Sequence, residues 1–309
     1  MRRRHKPKAP ILLDARNEIQ KSPAMLVASG FEMASIERVS ACVLDALDAQ
    51  KPFSLIRLGD GEAVLLGYPD LIHPTRFAHW MGNFFGPHAK PTHGFDTLRA
   101  YLVHAIRNAD VVGLSPRKWS DLDDARARLS RLGAKGGRLT QAEKEAISAV
   151  EWGVLAHLAA PLLAPGQILA TTAVHGELET AGVLKQCVSR AAQVNIISGN
   201  DLQARFAARF PDKFLRVRRV PTEYKFAAER DGWERRPPHF PDVFEAVLEE
   251  IHRGDFAGLS LVGAGPCGKA YCDAIRAAGG VALDIGSIMD LWAERRTRSY
   301  LAEMKSVTL

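Results

Sequence analysis

Apolar residues follow two periods along this chain. Over residues 36–47, Ile36, Val39, Val43, Leu44 and Leu47 share one helical face. Lys51-Pro52 ends that helix, and the apolar run from Phe53 to Leu58 reads as a buried strand that stops at Gly59. A helix over 94–108 groups Leu98, Leu102, Ala105 and Ile106, and residues 111–114 form a short strand closed by Ser115-Pro116. Beyond residue 150 the alternation becomes regular. Strands are predicted at 167–172, 193–198, 214–220, 258–263 and 280–285, with helices at 177–188, 200–210, 241–253 and 267–278. This order predicts an α/β, Rossmann-like fold with a mostly parallel sheet and helices on both faces.

Three stretches break the rhythm. Residues 68–93 are rich in Pro, His, Gly and aromatics and read as a long loop with short helices, of a length often tied to function. Residues 221–241, with Trp233, Pro237, Pro238 and Pro241, read as a loop over a site. The charged segment 117–148 reads as an exposed helix and glycine turn, a helical insertion able to protrude. No repeat or low-complexity linker divides the chain. The expected organisation is a flexible basic extension over 1–30 and a single α/β domain over 31–309.

Composition adds limits. The 309 residues are 47% hydrophobic and 25% charged, as in ordinary soluble globular proteins. Much of the formal net charge of +6 sits in the opening MRRRHKPK, which no apolar h-region follows. That tail reads as a solvated terminus, with loose contact to anionic lipid as the sharper alternative. A cytoplasmic protein, near the inner face of a membrane if the tail engages lipid, is the expectation; no nucleic-acid partner is expected. No run approaches the roughly 18 apolar residues of a spanning helix. The four cysteines, Cys42, Cys187, Cys267 and Cys272, form no C-x-x-C pair and read as free core thiols.

The candidate chemistry gathers at strand ends. Arg57 lies inside the first apolar strand, where a buried guanidinium needs an anionic partner. Gly59, Asp60, Gly61 and Glu62 follow, and two carboxylates in a D-x-E spacing suit one hard divalent cation with room for a diphosphate. A plain turn with both acids in water is the competing reading. Gly263-Ala264-Gly265-Pro266-Cys267-Gly268 fits G-x-G-x-x-G between a strand and a helix, with Lys269 next and Asp284 ending the following strand. Such a turn lets backbone N–H groups approach a phosphate; a bare strand-to-helix turn is the alternative. Asp284 and Asp290 suit a ribose ligand and a base, while Ser287 and Asp290 equally suit helix capping. Arg295, Arg296 and Arg298 suit a leaving diphosphate or a solvated surface. His175 and Glu177, at another strand-to-helix junction, are further base candidates, against a structural role for the histidine. No G-x-S-x-G elbow supports a serine nucleophile.

Five pieces in order, RLGDGE, DVVGLSP, TAVHGELETAGVL, VNIISGNDL and the stretch from LVGAGPCGK to DLWAERRTR, resemble the GT-D-type glycosyltransferases, once known as a domain of unknown function. The resemblance spans roughly residues 36–300 and omits the N-terminal 30 residues and the insertion. It implies a nucleotide-sugar donor and a divalent metal, Mn²⁺ or Mg²⁺, with Asp60 and Glu62 matching the D-x-E motif and Gly263, Gly265 and Asp284 the glycine turn and its aspartate. Arg298 is a weaker transfer. The expectation is a metal-dependent glycosyltransferase that moves a sugar from a UDP-sugar to a glycan, lipid-linked or protein-linked hydroxyl. An NAD(P)- or S-adenosylmethionine-binding Rossmann enzyme and a non-catalytic sugar-nucleotide-binding protein are the alternatives.

Overall fold

The computed structural model describes residues 33–86, 94–115, 121–229 and 237–309. The basic extension and Trp233 lie outside the described residues. Seven strands form one sheet: β1 (Phe53–Arg57), β2 (Val111–Leu114), β3 (Ile168–Thr171), β4 (Gln193–Ser198), β5 (Phe214–Arg219), β6 (Leu259–Gly263) and β7 (Val281–Asp284). Their order is β3-β2-β1-β7-β6-β4-β5. Every pairing is parallel, with Leu55 set between Val111 and Leu283 in the central register. Burial on both faces explains the near-continuous apolar runs of β1, β2, β6 and β7, whereas the edge strand β5 is only partly buried and carries three arginines.

The chain winds outward from β1 through β2 to β3, crosses to β4 in the other half, and returns inward through β6 to β7 beside β1. The direction of winding therefore reverses between β1 and β7, and such a point leaves a crevice at the carboxyl ends of the strands. Among the described residues, twelve α-helices cover the sheet. On one face lie α1 (Ile36–Asp48), α7 (Val174–Thr180), α8 (Val183–Arg190), α9 (Gln203–Arg209) and α12 (Ile288–Trp292), packed on Leu55, Leu261 and Leu283. On the other lie α2 (Asp60–Gly67), α3 (Pro74–Phe85), α4 (Phe95–Asn108), α5 (Leu122–Gly133), α6 (Gln141–Ala159), α10 (Phe244–His252) and α11 (Cys267–Ala277), packed on Ile56, Val112 and Val262.

Two local expectations change. The stretch read as a long loop contains α3, a twelve-residue helix. Pro74 sits in its first turn, where a missing N–H costs nothing, and the His73 ring accepts from Thr75 N at 3.2 Å. Phe77, Trp80, Met81 and Phe85 bury one helical face. The helix expected over 177–188 is two helices, α7 and α8, parted at Gly182 with φ of 70°. The charged segment builds α5, capped by Asp121, whose buried Ala125, Leu129 and Leu132 join the core under α6.

The chain's C-terminal residues are tied to α7 by one buried carboxylate. Glu179 is fully buried. Its Oε1 accepts from Trp292 Nε1 at 3.2 Å, Ser306 Oγ at 2.8 Å, Val307 N at 2.8 Å and Thr308 N at 3.1 Å; its Oε2 accepts from Thr308 Oγ1 at 2.6 Å. Removing the acceptor orphans several buried donors at once. Glu179→Ala should lower the free energy of unfolding in urea by about 3 kcal/mol, and Glu179→Gln by less. A loss below about 1 kcal/mol for the alanine variant would show that these donors find water instead.

Candidate active site

At the β1–β7 switch the strand ends open into a cleft of about 1670 Å³. Its floor is an ion network. Arg57, on the last residue of β1, donates from Nε to the Asp284 carbonyl at 3.1 Å and from NH1 to the Thr172 carbonyl at 3.2 Å. Its NH2 lies 3.8 Å from Asp284 Oδ1. The part-buried arginine thus has an anionic partner on the neighbouring strand. Lys269, in the first turn of α11, places Nζ 2.8 Å from Glu62 Oε1 and 3.1 Å from Asp284 Oδ2. Burial alone would lower the Lys269 pKa, but the charges of Asp284 and Glu62 outweigh it and raise the pKa.

Asp60 and Glu62 open helix α2 but face different surroundings. Glu62 is buried, and its Oε2 accepts from Gly59 N at 2.7 Å, the back-reaching half of a capping box. With Oε1 on Lys269, both of its oxygens are engaged. Asp60 opens to the cleft, and Oδ1 accepts from Gly61 N at 2.9 Å. Enclosure by the cleft walls, aided by the charge of Glu62, pushes its carboxyl pKa up against the pull of Lys225, Arg298 and Arg76. Among the described residues no group of three His, Cys, Asp or Glu side chains is placed to hold a metal ion. The expected D-x-E chelate does not fit here: one acid is open, and the other is held by an ammonium group.

The glycine turn and the early acids meet in this cleft, joined by the Lys269–Glu62 contact. Gly263 and Gly265 line it, with Gly265 at φ of 56°. Asp284 lines the cleft but is only 2% exposed, and its carboxylate faces Lys269 and Arg57. His175 is buried, and its ring contacts Arg57 NH1 at 3.1 Å and Tyr300 OH at 2.9 Å. Asp290 accepts from Asn200 Nδ2 at 2.8 Å and from Thr297 Oγ1 at 2.6 Å. Glu177 accepts at Oε1 from Thr171 Oγ1 at 2.9 Å, and Oε2 has no bonded partner among the described residues. Arg298 bonds Glu223 Oε1 at 3.2 Å.

Several cleft residues are not among those the sequence singled out. Trp80 and Phe84 form an aromatic pair at 4.4 Å between centroids, on the helix read as loop. Arg76, on the same helix, makes a bidentate pair with the buried Glu151 at 2.8 Å to each oxygen. Lys225 lies 5.2 Å from the Phe84 ring centroid and 4.9 Å from that of Phe226, and Arg298 lies 5.4 Å over Phe226. Correct periodicity over 74–85 would have found Trp80, but nothing local marks Glu223 or Tyr300.

Two histidines are held neutral. Burial, then the charge of Arg57, holds the His175 pKa well below the ordinary 6.5. Burial pushes His239, bonded to Tyr271 OH at 3.0 Å, down to about 3. In the unfolded chain each histidine binds a proton near pH 6.5, whereas the folded one does not until much lower pH. The unfolded state therefore gains protons first as pH falls. This contribution to stability is complete above 6.5 and declines below it by up to about 1.4 kcal/mol per pH unit for each histidine. Denaturation curves between roughly pH 6 and 4 should show a shallower loss of stability for His239→Gln than for the wild type. Equal slopes would mean that the ring is already protonated in the fold.

Comparison with curated proteins gives no match. Among solved structures, the chain is similar to one described as "The highly conserved domain of unknown function 1792 has a distinct glycosyltransferase fold". The two are 16% identical over 90% of this chain and 91% of that one, with a TM-score of 0.48. A selenomethionine-substituted structure of the same domain is 15% identical over 91% and 92%, with a TM-score of 0.47. Residues 34–136 match the family described as GT-D fold-like domain; the glycine turn, Asp284 and Arg298 lie beyond the matched segment. The matched segment takes in β1, the two acids and β2 of the seven-stranded parallel sheet.

Proposed function

We propose that the protein is a glycosyltransferase that moves a sugar from a nucleotide-diphospho-sugar, a UDP-sugar, to a hydroxyl of a glycan or glycoconjugate. The GT-D-like match suggests the reaction class. One observation carries the donor reading: the glycine turn before α11, the open carboxylate of Asp60 and the paired cations Lys225 and Arg298 line one cleft at the sheet's switch point. A diphosphate fits the turn and the cations, where N–H groups and guanidinium or ammonium groups bind phosphate oxygens. Asp60, facing the hollow, suits donor-sugar hydroxyls. Trp80 and Phe84 offer an apolar wall to a sugar or base ring.

In the reaction the acceptor oxygen bonds to the anomeric carbon. The bond from that carbon to the diphosphate oxygen breaks, and its electron pair leaves with the nucleoside diphosphate. The hydroxyl proton passes to a base in direct displacement. Of the three base candidates, Asp290 is locked by Asn200 and Thr297, and His175 is packed between Arg57 and Tyr300. Glu177 retains an oxygen without a bonded partner among the described residues and lines the cleft, so we assign it that role. No described helix is long and apolar enough to cross a membrane, and contact of the basic N-terminal segment with an anionic surface belongs to this proposal only as a route to a lipid-linked acceptor.

A thermal-shift screen of sugar nucleotides should find a UDP-sugar that raises the melting temperature by mass action, with transfer or donor hydrolysis in matched assays. Asp60→Asn and Glu177→Gln should each reduce kcat/KM about 100-fold while leaving the melting temperature of the free protein within about 2 °C. Binding of NAD(P) or S-adenosylmethionine in place of sugar nucleotides would assign the cleft to another reaction. Tight UDP binding with no turnover of any donor would mark a binding protein.

A further inference from the structure

The position between the early acids and β7 already holds a cation, and it belongs to the chain. Lys269 Nζ is 2.8 Å from Glu62 Oε1 and 3.1 Å from Asp284 Oδ2, and the side chain is 7% exposed. A divalent ion bonded to Glu62 would stand about 2.0–2.2 Å from the carboxylate oxygen and hence within a few ångströms of that ammonium, a like-charge contact in an enclosed site. The other Glu62 oxygen is spent on the backbone of Gly59. Asp284, the third acid of the floor, shares Lys269 and faces Arg57. Asp60 remains as a single open carboxylate, and one carboxylate without partners holds Mg²⁺ or Mn²⁺ weakly.

The opposite wall supplies positive charge of its own. Glu223 is shared by Arg298, 3.2 Å from Oε1, and Lys225, 2.8 Å from Oε2, so two cations meet one anion. Both stand over the Phe226 ring, which holds their heads beside the hollow. Arg295 also lines the cleft and makes no ion pair among the described residues.

We propose that Lys269 is a built-in replacement for the divalent cation: Glu62 and Asp284 share its ammonium group, Arg57 supplies the second positive charge, and the donor diphosphate is met by Arg298 and Lys225 rather than by a metal. The second half of this statement rests on the nucleotide-sugar reading above; the first half does not. Removing the ammonium group alone should open the floor to a metal ion, because Glu62 Oε1 and Asp284 Oδ2 would lose the cation they share while Glu62 Oε2 stays on Gly59 N and Asp284 Oδ1 beside Arg57.

Calorimetric titration with Mn²⁺ alone, without nucleotide, tests the first half. The wild type should show no binding tighter than about 1 mM, and Lys269→Met should bind Mn²⁺ at least about tenfold more tightly and be thermally stabilised by it. Lys269→Arg, which keeps the charge, should behave as the wild type, and the wild-type titration decides the point even if the methionine variant does not fold. Wild-type Mn²⁺ binding in the micromolar range that Glu62→Gln abolishes would overturn the proposal. UDP titrated with EDTA and with Mn²⁺ tests the second half. Affinities within about twofold of each other, with about a tenfold loss in Arg298→Ala under EDTA, are expected. UDP binding that requires Mn²⁺ would overturn it. Absence of UDP binding in both conditions would overturn the donor reading and this second half together, with the metal-alone titration still deciding the first.

Discussion

A buried ammonium group organises this molecule. Lys269 stands almost out of water between Glu62 and Asp284, and none of the three charges is tolerable there without the others. The contact joins the start of α2, the start of α11 and the end of β7, so it fixes how the strands at the switch point release their loops. Arg57 extends the network from β1 to the carbonyl that ends β7 and the one that follows β3. Four strand-to-helix junctions are thus held by side-chain charge where sheet hydrogen bonds have ended. Apolar packing positions the layers, but it is indifferent to small displacements of loops; the directional bonds of two cations are not.

The glycines of the cleft are set by close approaches around that network. A Cβ on Gly263 would meet Met289 Cγ at 2.5 Å and the Gly286 carbonyl at 2.9 Å, and one on Gly286 would run into the Arg57 guanidinium. Gly61 lies against the Trp80 ring, with no space for a side chain. The G-x-G-x-x-G pattern therefore has a packing cause that holds before any ligand is considered: β6, β7 and α12 approach too closely for a side chain at residue 263. The backbone bared by that close approach is also what a phosphate would use. The structural and the ligand-binding explanations of the turn are one geometry, and the spacing alone cannot separate them.

What the sequence disclosed follows from how local each cause is. The central strands could be read because residues buried on both faces give near-continuous apolar runs, as in Val111 to Leu114; Gln193 to Ser198 was legible from Val194, Ile196 and Ile197 despite its buried Asn195. Helix α3 was equally local, with Phe77, Trp80, Met81 and Phe85 at helical spacing, but Pro74 and the surrounding histidines and glycines resembled loop composition; a proline in a first turn starts a helix rather than breaking one. Arg57 announced a buried anion without naming it. The identity of that anion, the theft of Glu62 by Lys269 and the engagement of Asp290 by Asn200 depend on where distant segments come to rest. No periodicity encodes such pairings, so a D-x-E spacing read as two equivalent ligands became one open acid and one closed one.

The C-terminal part of the cleft shows a second form of the same economy of position. Arg295 to Arg298 and Tyr300 follow α12 as a segment with little apolar burial of its own, apart from Leu301. Helix α7 secures both ends of its continuation: His175 meets Tyr300, which also contacts Ser287, and Glu179 grips residues 306–308 and the indole of Trp292. His175 and Glu179 are four residues apart and so lie on one side of the helix. A neutral imidazole and a buried carboxylate, one turn apart, thus do for this segment what hydrophobic contacts do for a regular element. They hold a basic wall rigid while leaving its charged ends in the open hollow, which apolar anchoring of the same residues would have drawn inward.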